Sequence, residues 1–146
     1  MKIQVTLDPT CKEPEVTIRT SEMTEEVGEI AQRLSVSNQR MLAGFTEDSV
    51  ELLDISGIIR IYTVNKSVVA ETSTGTYTVK MRLYELEERL DKTLFVRISH
   101  SEIVNLKAVV NIDLSFTGTI AMTLTNNATA YVSRRYVSKI KQALGM

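Results

Sequence analysis

Between residues 2 and 7 apolar and polar side chains alternate, placing Ile3, Val5 and Leu7 on one face, and Val16 and Ile18 repeat the pattern over residues 15–19. A period of two predicts half-buried strands, and Pro9 and Pro14 set a loop between them. The period then changes. Met23, Val27, Ile30, Ala31 and Leu34 recur at helical spacing behind Ser21, with Glu22, Glu25, Glu26 and Glu29 toward the beginning. That spacing predicts an amphipathic helix capped by the serine, its acids near the positive end and its apolar stripe suited to packing on a sheet.

Short runs rich in branched residues follow over residues 40–45, 50–53, 58–64, 68–71 and 76–80, which predicts strands joined by tight turns. Leu83, Leu86 and Leu90, interleaved with Glu85, Glu87, Glu88 and Arg89, predict a second short helix. Residues 95–98 return to a strand. Residues 109–114 and 120–124 predict a hairpin around Thr117 and Gly118, 130–132 a further strand, and Val137, Ile140 and Leu144 a closing helix. The fold class expected is mainly β with short helices, preceded by a strand-strand-helix piece. Strand-helix-strand alternation is missing, which argues against a doubly wound α/β fold, and no internal repeat or heptad array is visible.

Composition adds limits. A chain of 146 residues with 43% hydrophobic and 24% charged positions is long enough to bury one core. The longest apolar runs fall far short of the roughly 18 to 20 residues of a membrane span. The alternating start is no apolar signal block, so the expected compartment is the cytoplasm. Cys11 is the only cysteine, which excludes an intramolecular disulfide and fits a reducing compartment. Net charge is −1 but unevenly spread. Residues 1–57 hold 5 Lys+Arg against 11 Asp+Glu (−6), residues 58–96 hold 6 against 5 (+1), and residues 97–146 hold 6 against 2 (+4). A basic end on an acidic chain hints at an anionic partner there, although proteins without one share the pattern.

Catalytic chemistry finds little to use. Zinc asks for about four nitrogen or sulfur ligands, and Cys11 with His100, the single histidine, cannot supply them unless carboxylates or another chain complete the set. The 6 glycines form neither GxxxxGK[ST] nor GxGxxG, so phosphate-loop chemistry has no support. Ser99 or Ser101 with His100 and Asp113 gives the residue types of a hydrolase triad, but no GxSxG elbow is present. Neighbours on a strand also face opposite ways, so Ser99 and His100 would not readily share a proton. No catalysis and no cofactor are therefore expected.

His100 lies in FVRISHSEIVNL, where Arg97, Ser99, Ser101, Asn105 and Lys107 add donors as a strand gives way to what reads as a short helical turn. Ser101 would cap that turn, with Ile103 and Val104 buried beneath it. A histidine in an apolar stretch is most often structural, bonded to a backbone group; among so many donors, contact with a partner is the other reading. A second cluster, Ser133-Arg134-Arg135-Tyr136, sits at another strand-to-helix junction. Helix-start amides and arginine forks suit phosphates and base edges, while an arginine pair can equally be a solvated face.

FVRISHSEIVNL followed by a strand pair and then YVSRRYVSKIKQAL resembles the signature of the LytTR family of bacterial DNA-binding domains. The two motifs agree with that family in order, spacing and context, over residues 45–144. The resemblance implies an elongated β fold presenting loops to successive major grooves and the minor groove between them, without a recognition helix. It implies base contacts by His100, by Arg135, and by a loop of Asn65, Lys66, Ser67 and Val68. Val68 departs from members with a longer polar side chain there, so a neighbour or an apolar contact with a thymine methyl would have to substitute. Ser101, Lys107, Ser133, Arg134, Lys139 and Lys141 are the expected phosphate contacts. Arg97 and Asn105 look structural in such a fold, the first pairing with an acid and the second ending the turn.

Many family members also carry a phosphate-receiving domain of about 120 residues; residues 1–38 are too few to make one and resemble the extension of stand-alone regulators, some held inactive by a membrane protein. The expected organisation is this extension followed by a DNA-binding domain over residues 39–146. The expected partners are double-stranded DNA with repeated half-sites, a second copy of the chain on that DNA, and a membrane-bound inhibitor. The competing class is a protein-interaction or sensory module that kept the fold and lost DNA binding, which the acidic first half and Val68 would favour.

Overall fold

The computed structural model describes residues 1–37, 41–114 and 119–146. Helix α1 (Glu25–Ser37) precedes five strands built from the branched runs, β1 (Met41–Phe45), β2 (Val50–Asp54), β3 (Ile58–Val64), β4 (Ser67–Thr72) and β5 (Thr76–Val79). Helix α2 (Leu83–Arg89) leads into β6 (Phe95–Ser99) and β7 (Glu102–Asn105), then β8 (Val109–Asp113), β9 (Ile120–Leu124), β10 (Thr129–Val132) and α3 (Val137–Ala143). The strands form an antiparallel seven-stranded sheet, ordered β2-β1-β5-β4-β3-β7-β6, and a three-stranded one, ordered β10-β9-β8.

Three apolar clusters hold these layers. On one face of the large sheet Leu83 and Leu86 of α2 and Leu90 at its end bury against Leu42, Ile58 and Ile61. On the other, Val96, Ile98 and Val104 meet Ile120, Met122 and Leu124 of the small sheet and Ile140 of α3. Ala31 of α1 joins Ala43 and Phe45 in a smaller third cluster. Strands β6 and β7 are therefore covered on both faces. Phe95 and Ile103 enter the first cluster and their neighbours Val96 and Val104 the second, which is why these strands read as apolar runs without strict alternation.

From residue 41 on, the strand positions expected from patterning agree with the structure to within a residue or two. The hairpin over residues 109–124 forms as β8 and β9, with Asp113 opposite Ala121, while Thr117 and Gly118 lie outside the described residues. Three expectations are corrected. Residues 2–7 and 15–19 form no strand: Ile3, Val5 and Leu7 are 85%, 83% and 91% exposed. Alternation makes a strand only where a partner edge accepts its backbone bonds and a surface covers its apolar face. Helix α1 starts later than Ser21 implied, because Thr24 takes over its end: its Oγ1 accepts from Val27 N at 3.3 Å and its carbonyl from Gly28 N at 3.1 Å. Finally, the chain after Ser101 is not helical. It turns back as β7, and the helical turn comes later, as a 3-10 turn over Leu106–Ala108.

Asn105 ends β7 and caps that turn. It is the one buried polar residue among those described, at 2% exposure. Its Nδ2 donates to the Ile58 carbonyl at 2.8 Å and the Ser56 carbonyl at 3.4 Å, and its Oδ1 accepts from Lys107 N at 3.0 Å. Removing it strands a buried carbonyl and an amide. Asn105→Ala is predicted to cost about 1 to 3 kcal/mol, read as a lower urea midpoint with an unchanged slope; a midpoint equal to that of the parent protein would contradict this role.

Candidate functional site

Strand β3 turns into β4 through Asn65 and Lys66 alone, both in the left-handed region (φ 47° and 68°), the geometry of a primed two-residue hairpin. Asparagine tolerates it; lysine does so at a cost on the order of 1 kcal/mol or more. Lys66 nonetheless stands at the tip, exposed, as are Asn65 and Ser67.

A second turn joins β6 to β7 through His100 and Ser101. Ser101 N donates to Ser99 Oγ at 3.2 Å, but the main organiser is Arg97. Its guanidinium donates from Nε to the Ser99 carbonyl at 2.8 Å, from Nη2 to the His100 carbonyl, and from Nη1 to Glu87 on α2 at 2.9 Å. With the Ser99 and His100 carbonyls held by Arg97, the His100 side chain is left exposed. Arg97 thus pairs with an acid, as its position suggested.

Two main-chain bonds bring a third junction to the same place. Thr63 N donates to the Ser101 carbonyl at 3.0 Å, laying the β6–β7 turn beside the β3–β4 turn. Ser133 N donates to the Ile98 carbonyl at 2.9 Å, laying the end of β10 beside the end of β6. There a 3-10 turn, Arg134–Tyr136, feeds α3 and leaves Arg134 and Arg135 exposed. Asn65, Lys66, Ser67, His100, Ser101, Ser133, Arg134 and Arg135 therefore gather at one end of the large sheet, although up to 70 positions separate them in sequence.

Not every expected residue joins them. Val68 is half-buried and packs on the first core cluster, so its side chain is spent on the interior. Ser101 starts no helix; it lies in the hairpin turn, exposed. Lys107 sits in the turn after Asn105, at the opposite end of β7 from Ser101. It lies near Asp91, whose carboxyl is held below the usual range by Thr93's hydroxyl and amide, with Lys107 adding its charge. On α3, Lys139 Nζ lies 3.8 Å from Glu87 Oε1 and Lys141 is exposed in the last turn.

A network behind the site was not anticipated. Arg60 reaches Glu71 at 3.2 Å and Glu102 at 3.5 Å and lies 4.7 Å above the Tyr62 ring, while Asn126, in the turn between β9 and β10, bonds Glu71. Burial pushes the Glu102 carboxyl up and the adjacent Arg60 pulls it back. The signal was available in charges set inside apolar strands, as in Ile58-Ile59-Arg60-Ile61.

The profile of the LytTr DNA-binding domain family matches residues 48–145. Proteins of Staphylococcus aureus strains NCTC 8325 and MRSA252, named uncharacterized HTH-type transcriptional regulators, are 32% and 31% identical over 147 residues, covering 100% of this chain and 99% of theirs. The solved LytTr DNA-binding domain of a methyl-accepting/DNA response regulator from Bacillus cereus superposes with a TM-score of 0.71 at 25% identity, over 73% of this chain and 98% of that one. Among the described residues of this chain strands separate every helix from the next, so a helix-turn-helix unit is not formed there.

The Arg97 clamp predicts a local effect. Arg97→Lys keeps the charge but loses the fork, so amide exchange at His100 and Ser101 should accelerate at least tenfold relative to the β9 core; unchanged exchange there would remove the clamp from the account.

Proposed function

The chain belongs to the LytTR family of DNA-binding domains, and on that premise we propose that this regulator grips double-stranded DNA with the end of the large sheet where the three junctions meet. The observation carrying this reading is the pair of main-chain bonds, Thr63 N to the Ser101 carbonyl and Ser133 N to the Ile98 carbonyl. Together they gather exposed donors from three distant parts of the chain onto one edge. His100, Arg135, Asn65, Lys66 and Ser67 read bases in this proposal, Arg135 by spanning guanine N7 and O6. Arg134, Ser101, Ser133, Lys139 and Lys141 hold phosphates. Val68 is left out because its side chain faces the core, and Lys107 because it stands at the far end of β7.

Bases are read here by residues on loops, each short and held by backbone bonds, so the positions of those residues are set before DNA arrives. The strained Lys66 fits that picture: a left-handed lysine at a hairpin tip keeps a cation where glycine would fold more easily. We place the protein in the cytoplasm, acting on DNA without catalysis or a cofactor. Among the described residues no helix is long and apolar enough to cross a membrane. Two protomers on repeated half-sites would combine two modest contacts into one strong one. The acidic first half of α1, with Glu25, Glu26 and Glu29 exposed, is repelled by DNA and is the surface proposed for a membrane-bound inhibitor.

Selection from genomic fragments, followed by fluorescence anisotropy at two salt concentrations, tests the reading. Arg135→Ala is predicted to lose about 1 to 3 kcal/mol on the selected site and to relax preference at one base pair. Lys139→Ala should weaken selected and random DNA alike and flatten the salt dependence. Equal loss on both DNAs for Arg135→Ala would contradict its base-reading role.

A further inference from the structure

The third core is open on one side. Met23, Val50 and Leu52 are only half covered where Ala31, Ala43 and Phe45 are buried, and a cavity of about 610 Å³ lies between α1, Phe45 and the approach to α2. Its floor is apolar, formed by Met23, Gly28, Phe45 and Met81. Its rim is acidic. Glu25, Glu29 and Glu85 outnumber the one lysine, Lys80, whose Nζ is drawn to 5.2 Å from the centre of the Phe45 ring.

The same chain carries a segment of opposite character. Residues 2–7 read KIQVTL, with one cation and no acid. Their apolar side chains Ile3, Val5 and Leu7 are among the most exposed in the protein, and none of them lines the cavity of its own chain. Lys2 also shares a shallow cleft with Arg19, so two cations stand at one end of an uncovered aliphatic stripe. An exposed stripe of this kind marks an interaction surface.

We propose that residues 2–7 of a second copy of this chain occupy the cavity, each protomer giving its segment and receiving its partner's in a two-fold exchange. The stripe covers the open floor, and Lys2 with Arg19 meets the Glu25, Glu29 and Glu85 rim. Gly28 keeps the floor accessible, because a Cβ there would already lie 3.6 Å from Phe45 Cε1 and a longer side chain would fill the space. The strand-like alternation of residues 2–7 is then used between chains, not within one. This interface deepens the two-protomer reading of DNA binding, and it forms without DNA.

Sedimentation equilibrium without DNA tests it. The parent protein should show twice its 16.4 kDa at micromolar concentration. Ile3→Asp with Val5→Asp spoils the segment, and Gly28→Trp fills the cavity; each variant alone should be monomeric. Mixed one to one they should form a heterodimer through the single intact contact, at least tenfold weaker than the parent dimer. Should Gly28→Trp perturb α1, charge reversal replaces it: Glu29→Lys should weaken the dimer at least tenfold and added Lys2→Glu should recover it. A monomeric parent protein overturns the exchange, as does a cavity variant or charge reversal that dimerises like the parent, or a mixture that stays monomeric. Anisotropy on a single half-site separates the two ideas: a monomer that still binds it leaves the DNA reading standing and removes this interface alone.

Discussion

One buried carboxamide holds the register on which the site depends. Strands β3, β6 and β7 are covered on both faces, so apolar patterning alone does not choose how β7 lies against β3. Ile103 and Val104 would each still meet an apolar surface after a one-residue slip, the situation in which register is weakly specified. Asn105 removes the ambiguity, because with its Oδ1 held locally by Lys107 N only one alignment brings its Nδ2 to the Ile58 carbonyl. With the far end fixed, Ile61 faces Ile103 and Tyr62 faces Glu102, so Thr63 meets the Ser101 carbonyl and the two turns lie side by side. The site is a product of pairing, and its atoms are placed from about 13 Å away by the length of one four-residue strand.

Charge is arranged on the same plan. The basic surplus of residues 97–146 is not a diffuse tail. Arg97 is spent on carbonyls and Glu87, while Arg134 and Arg135 are exposed just past Ser133, whose amide is bonded to β6. Glu87 accepts from Arg97 and lies close to Lys139, so α2 ties the β6–β7 turn to α3 through one carboxylate. Of the acids of the first half, Glu25, Glu26 and Glu29 lie on α1, and Glu25 and Glu29 line the open third core. In the proposed reading the exposed arginines attract DNA and the α1 acids are left for a different partner.

Much of this was legible in the sequence where local pattern decides the outcome. The strand runs, the α2 leucines and the Ser133–Tyr136 junction all follow from periodicity and from residues that favour an edge. Placement was less legible. Lys107 is two residues from Asn105 and seven from His100, and a helical turn there would have kept it near the histidine. Once residues 102–105 are a strand, Lys107 is carried to the opposite end of the sheet, a result fixed by pairing partners that no local window contains. Val68 is similar, since its side of β4 is set by the turn at Asn65 and Lys66. Residues 2–7 failed for the converse reason: the alternation is present, but no edge among the described residues receives it.

The central claim is that three junctions, distant in sequence, form one DNA-facing edge. Backbone amide shifts of ¹⁵N-labelled protein titrated with a duplex carrying the selected site measure this directly. The largest changes should fall on residues 65–67, 99–101 and 133–135 together, at the same DNA ratio, with residues 106–108 undisturbed. Changes confined to one junction, or centred on the 106–108 turn, would contradict it.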